Sequence, residues 1–185
     1  MRLDAPRISP LAEAELSPEQ RAILEGAGFA GRLNILKTLA RYPEMLRAFL
    51  AWGNHVMGAS PLDPILRELA ILRTGYLCRS GYEWLQHRQI AARLGMAEET
   101  IARIKAGPAA PGWSAQERAI LAATDELVGG HMLGDQSWEA LAFLGDEGRT
   151  ELVFAVGQYV MVSMVLNSLG IQPEEGLGVD PDLRA

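Results

Sequence analysis

The chain has 185 residues, 49% of them apolar and 22% charged, with 17 basic against 23 acidic side chains and a formal charge of −6. That length and mix specify one globular domain with a real core. The acidic balance argues against broad binding of nucleic acid or anionic membranes, both of which attract basic surfaces, and a single cysteine, Cys78, excludes an intramolecular disulfide.

The opening residues MRLDAPRISP lack the apolar run of a secretory signal, so a cytoplasmic protein is expected. Residues 1–16, with Pro6 and Pro10, read as an irregular arm. Ser17-Pro18-Glu19 starts a helix, with serine as cap and proline in the first turn, that should stop near Gly26 or Gly28. A short helix fits residues 33–41. Pro43 opens another through about Met57, with an apolar stripe of Met45, Leu46, Phe49, Leu50 and Val56. Asp63-Pro64 opens the next, and Gly75 and Gly81 mark where it bends or stops. From Tyr82 a helix runs to Leu94 and is closed by Gly95.

Residues 97–105 form one more helix before the loop Gly107-Pro108-Ala109-Ala110-Pro111-Gly112. Ser114-Ala115-Gln116-Glu117 is a capping box that launches a helix to about Val128. Residues 137–144 are short, residues 147–169 form a long helix that is apolar on most sides, and the tail 171–185, with Pro173 and Pro181, reads as extended. The stretch 152–169 is about as long as a membrane span, but Gln158, Tyr159, Ser163 and Asn167 interrupt it, so a buried helix is expected and no membrane partner. No run alternates as a half-buried strand does. The fold class is all-α: a multi-helix bundle forming a single domain over residues 17–170.

A faint internal repeat accompanies this pattern. Glu68-Leu69 with Tyr76 and Ser80 lies over Glu151-Leu152 with Tyr159 and Ser163 at a constant offset of 83 residues, with Leu166 and Gly170 at the positions of Glu83 and His87.

Chemistry concentrates between residues 62 and 94. Glu83 and His87 stand four apart, so a helix brings them onto one face within hydrogen-bonding reach. Tyr76, Ser80, Glu83 and His87, at steps of four, three and four, form one polar stripe if the helix is continuous, and Glu68, about four turns before Glu83, projects near it. Two readings of the pair stay open: a proton-transfer site, with His87 as general acid/base tuned by a carboxylate, or a structural helix pair worth a few tenths of a kcal/mol. A metal needs a third and fourth ligand, and His55, His131 and Glu68 carry no spacing that ties them to the pair, so no metal is expected. Cys78 has no second cysteine for dithiol chemistry and reads as core filling, with a reactive thiol as the alternative. Residues 88–105 imitate a helix-turn-helix, but Glu98 and Glu99 open its would-be recognition helix and repel DNA, so no nucleic-acid partner is expected.

Several of these segments together resemble the carboxymuconolactone decarboxylase family, which includes the alkylhydroperoxidase-D-like proteins. The residues that carry the resemblance are Arg67-Glu68-Leu69-Ala70-Ile71-Leu72-Arg73, Tyr82-Glu83-Trp84 with His87, Ala92 and Gly95, Thr124-Asp125-Glu126-Leu127, Trp138 and Gly157-Gln158-Tyr159, within residues 33–170. The resemblance implies an all-α fold that assembles into homodimers, trimers or hexamers with sites near subunit contacts. In the hydroperoxidase-like branch a Cys-x-x-Cys…His motif is assisted by an upstream glutamate. His87 and Glu68 match that histidine and glutamate, the cysteine positions fall on Ser80 and Glu83, and Cys78 lies two residues out of place, so the dithiol chemistry should not transfer. The decarboxylase branch uses no cofactor, and its proton transfer beside a carbonyl suits Glu83 and His87 better.

The resulting expectation is a lyase or isomerase acting on a small carboxylated carbonyl compound without a cofactor. His87, Glu83 and Glu68 are its catalytic candidates, Tyr82, Trp84, Ser80 and Arg73 its substrate-binding candidates, and Arg73 the counter-charge to the carboxylate. A single-cysteine peroxidase built on Cys78 and a non-catalytic assembly protein are the alternatives. The last should show no cavity beside His87.

Overall fold

Local signals set most of the helix boundaries in the computed structural model, which describes residues 3–184. Ser17 and Gln20 exchange side-chain and backbone hydrogen bonds and start α1 (Pro18–Gly26). Ser114 and Glu117 do the same for α7 (Ala115–Gly130), which ends at His131 with φ 60°. The Asp63 carboxylate accepts from the Ile65 and Leu66 amides and starts α4 (Pro64–Leu77). Between these lie α2 (Asn34–Leu39), α3 (Pro43–Asn54), α5 (Gly81–Arg93) and α6 (Glu98–Ile104), and α8 (Asp135–Ala140) and α9 (Gly145–Leu169) follow. Among the described residues there is no strand, in keeping with the all-α reading.

α4 is the central rod. It packs against α5, α7 and α9 and is buried continuously from Arg67 to Gly75. Leu69 and Leu72 face a core shared with Trp84, Ile101, Ile120 and Leu152, and Ile71 faces a second core with Leu36, Leu46, Tyr82 and Val162. A helix covered on all sides cannot keep its charges in water, so each must find a partner. Arg73 does so fully: Nε and Nη2 donate to the Asp125 carboxylate of α7 at 2.6 and 2.9 Å, and Nη1 donates to the carbonyls of Ile104 and Lys105. Gly107 (φ +76°) leaves room for that guanidinium, because a Cβ there would stand 2.7 Å from Nη2.

The structure departs from the continuous helix on which the polar stripe depended. α4 ends at Leu77, residues 78–80 turn with Arg79 at φ 52°, and α5 runs back beside α4. Gly75 does not break the helix; it sits inside it. Its missing side chain admits α5, and a Cβ at Gly75 would meet Glu83 Cγ at 3.2 Å.

Residues 3–16 and 171–184 lie against the bundle instead of trailing from it. Arg7 binds the carbonyls of Ser168 and Leu169, Ile171 and Leu183 are buried, and Lys105 pairs with Asp180 and Asp182. The first two residues of the expected arm and the last of the expected tail lie outside the described residues. α9, with residues 142–144 before it, is long and apolar enough to cross a membrane by length and composition alone, yet it packs against α4, α5 and α7, and 44% of its most apolar window is buried.

Removing one partner of a buried ion pair strands the other. Arg73→Ala is expected to lower the unfolding free energy by roughly 3 kcal/mol, a fall in Tm of about 6–12 °C for a chain of this size. Differential scanning calorimetry checks it, and an unchanged Tm would remove Arg73 from the framework.

Candidate functional site

The α4–α5 hairpin, with α9 laid across it, brings three ionisable side chains together. His87 Nδ1 lies 2.7 Å from Glu68 Oε2, and Nε2 lies 2.9 Å from Glu83 Oε1. The first contact is a hydrogen bond across the hairpin. The second is an ion pair within α5 whose angles fall outside a hydrogen bond, so Glu83 Oε1 accepts none. Arg67 Nε stands 4.0 Å from Glu68 Oε1, with both atoms lacking a hydrogen bond. All four side chains are buried, Glu68 completely.

Charge decides the protonation of this cluster. Burial pushes the imidazole down, but the carboxylates of Glu68 and Glu83 push it up and win, holding His87 at about 10. The magnitudes agree: one charge pair near 2.8 Å is worth about 6 kcal/mol at an effective dielectric of ~20, His87 makes two, and desolvating an ion costs several kcal/mol. With both carboxylates ionised, the imidazolium and Arg67 bring the buried group to zero net charge. His87 is therefore a stored proton at neutral pH, and its ring is fixed by Glu68.

A cavity of about 320 Å3 opens beside this cluster, lined by Glu83 and His87 among mostly apolar residues that include Leu36, Phe49, Leu50 and Val162. The expectation attached to a purely structural Glu83–His87 pair, that no cavity adjoins it, is therefore overturned. Tyr159 of α9 packs edge-on against the His87 ring at 4.8 Å, and its hydroxyl donates to Met57 Sδ at 3.0 Å. Met57 belongs to a wide π turn, His55–Ala59, that continues α3. Burial, then the nearby Glu83 and Glu68 charges, push the Tyr159 phenol well above its usual range. On another wall Tyr82 Oη and Gln86 Nε2 both donate, at 2.6 Å, to the carboxylate of Glu174, which also accepts from the Asn34 amide at the start of α2. Burial first, then Glu174, raise the Tyr82 phenol.

Of the substrate-binding candidates, Tyr82 lines this cavity. Trp84 does not: it is buried in the first core, tilted against Tyr76 at 5.7 Å. Ser80 is buried in the turn before α5 and its hydroxyl has no hydrogen-bond partner. Arg73, expected as a counter-charge, has its donors committed to Asp125 and two carbonyls and does not line the cavity. The structure gives it a framework role, because the run of apolar flanks that suggested a buried substrate contact instead placed it between α4, α6 and α7. Cys78 sits half-buried at the end of α4, outside the lining. His55 stacks on Trp52 and lies 2.7 Å from Glu151 of α9, and His131 ends α7. Among the described residues no cluster of three or more His, Cys, Asp or Glu is arranged to hold a metal ion.

Sequence reasoning did not assign Gln86, Met57, Gln158, Tyr159 or Glu174 to the site. A signal existed for Gln158 and Tyr159, which are polar residues inside an apolar helix. None existed for Glu174, which lies 92 positions from Tyr82.

Residues 43–126 match the model of the carboxymuconolactone decarboxylase family. Among solved structures the chain is similar to an alkylhydroperoxidase AhpD core, a peroxidase-related protein from Ralstonia eutropha JMP134 (22% identity, 91% of this chain and 93% of that one, TM-score 0.74). It is also similar to a putative antioxidant defence protein AhpD from Agrobacterium tumefaciens (22%, 74% and 94%, TM-score 0.69). A third likeness is to the debrominase Bmp8, solved in complex with 2,3,4-tribromopyrrole (17%, 91% and 91%, TM-score 0.73). At these identities the structures share a fold with this chain, and their activities are their own. No curated protein matches it. Residues 43–126 thus carry a likeness to the carboxymuconolactone decarboxylase family, and the chain has an AhpD-like all-α fold whose single cysteine leaves no Cys-x-x-Cys pair.

Proposed function

We propose that the protein is a proton-transfer enzyme, an isomerase or lyase in reaction type, that works on a small carbonyl compound with its own side chains. The observation that carries this reading is the His87 imidazolium pinned between Glu68 and Glu83 on the wall of a cavity large enough for a small molecule. Glu83 takes a proton from the carbon beside the carbonyl, and the electron pair moves onto the carbonyl oxygen. The imidazolium balances the developing oxyanion inside a site of low polarity. Return of the proton to a second carbon completes an isomerisation. Glu68, on the far side of the ring, keeps the imidazole oriented and charged. This assignment moves the proton carrier towards Glu83 and leaves His87 as the electrostatic partner. Cys78, outside the cavity, has no part in it, and Cys78→Ser is expected to leave the exchange rate below unchanged.

Exchange of carbon-bound hydrogen for deuterium, followed by NMR across a panel of ketones, enones and lactones, tests the reading. Glu83→Gln and His87→Gln are each expected to slow exchange by about 100-fold or more while the fold is retained. Wild-type rates in either variant, or no exchange with any member of the panel by the wild type, would sink it.

The raised His87 also predicts a stability profile. The folded protein holds a proton that the unfolded chain releases near pH 6.5, so the contribution of His87 is complete below pH 6.5 and is lost as pH rises towards about 10. Urea midpoints should fall across that window in the wild type and fall less in His87→Gln. Parallel profiles would contradict a proton stored there.

We also propose that the protein self-associates through α9. Its exposed face reads Phe154, Gly157, Met161, Met164 and Ser168, at steps of three, four, three and four, which is the spacing of a helix seam. Phe154, Met161 and Met164 are 56%, 41% and 62% exposed, and an apolar groove of about 550 Å3 runs alongside. A two-fold contact brings that stripe against its own copy. Light scattering should give a mass above the 20.1 kDa of one chain, and Met161→Glu should return it to that value. A wild-type monomer rejects the assembly.

A further inference from the structure

We propose that the cavity beside His87 takes an uncharged, largely apolar carbonyl compound, and that the side-chain amide of Gln158 hydrogen-bonds its oxygen. The proposal rests on the proton-transfer reading for the location of the reacting carbon, but its evidence is separate: the charge of the lining, and one buried amide with no partner.

No lysine or arginine lines the cavity among the described residues. Its charged members are Glu83 and His87, and the positive charge of His87 is already shared between two carboxylates within 2.9 Å. A carboxylated ligand would meet the Glu83 carboxylate with no cation left to balance it, in a pocket whose other walls are Leu33, Leu36, Phe49, Leu50, Ile90 and Val162. Arg73 and Arg67 offer no relief, since the first is held by Asp125 and neither lines the pocket. The lining therefore selects against anions and accepts neutral molecules.

Of the polar lining groups, Asn54 is exposed at the rim and the others divide by whether they have a partner. Tyr82 and Gln86 are taken by Glu174, and the Tyr159 hydroxyl by Met57. Gln158 is 8% exposed, and its side-chain amide has no hydrogen-bond partner among the described residues. It sits on α9 one residue before Tyr159, whose ring touches His87. The Gln158 amide is not among the sealed polar atoms that lack a partner, so it keeps access to the spaces it lines, the inner cavity and the outer groove. An amide left open on the wall of an apolar cavity has a ligand as its natural partner, and its NH2 group suits a carbonyl oxygen. A ligand oxygen held there lies in the same cavity that Glu83 and His87 line.

Acetophenone and para-acetylbenzoate, a neutral aryl ketone and the same ketone bearing a carboxylate, are the probes. Isothermal titration calorimetry on the wild type is expected to show acetophenone binding at least about tenfold more tightly, and Glu83→Gln should narrow the gap. Gln158→Leu, checked for folding by its thermal melt, should weaken acetophenone about tenfold, the size of one net hydrogen bond of about 1.4 kcal/mol. The wild type needs no mutation to test the contact: the Gln158 side-chain NH2 resonances should shift on titration with acetophenone. Equal or tighter binding of the carboxylate, binding of neither probe, or Gln158 resonances that stay fixed at saturation each overturn the proposal. None of these readouts requires turnover. Acetophenone bound at Gln158 without deuterium exchange would reject the proton-transfer reading and leave this one standing, and exchange that persists in Gln158→Leu with unchanged affinity would do the reverse.

Discussion

The contact between Glu68 and His87 is the constraint on which the site depends. Glu68 has no access to solvent, so its charge is tolerable only with a cation against it. That cation comes from the next helix, and it arrives only because the chain reverses over residues 78–80 and Gly75 gives α5 room to close. The same contact turns the His87 ring so that its other nitrogen meets Glu83 at the cavity wall. Framework and chemistry thus share one hydrogen bond of 2.7 Å.

The rest of α4 follows the same logic. A helix buried on every side cannot be read as an amphipathic stripe, and two of its charges show how differently such burial is resolved. Arg73 finds Asp125 and two helix-end carbonyls and becomes a clamp between helices. Glu68 finds a titratable partner and becomes part of a site. The difference lies in what α7 and α5 present to each: a fixed carboxylate in one case, an imidazole in the other.

How much of this was legible depends on range. The helix starts at Ser17, Asp63 and Ser114 were readable because a cap and its partner lie two or three residues apart. The Glu83–His87 pair was readable for the same reason. Glu68 was brought to the right place by the wrong route, since a straight helix was assumed where a hairpin does the work. The counter-charge role of Arg73 failed because sequence flanks reveal that a residue is buried and not what it is buried against. Glu174 was invisible, since its link to Tyr82, Gln86 and Asn34 spans most of the chain. The polarity of Gln158 and Tyr159 was visible, but its meaning required knowing which face of α9 looks inward.

α9 has two such faces, and Gln158 lies at their border, lining both the inner cavity and the outer apolar groove. The wall a ligand would touch and the surface a neighbouring molecule would touch are then two sides of a single rod about 10 Å across. The helix is a shared partition.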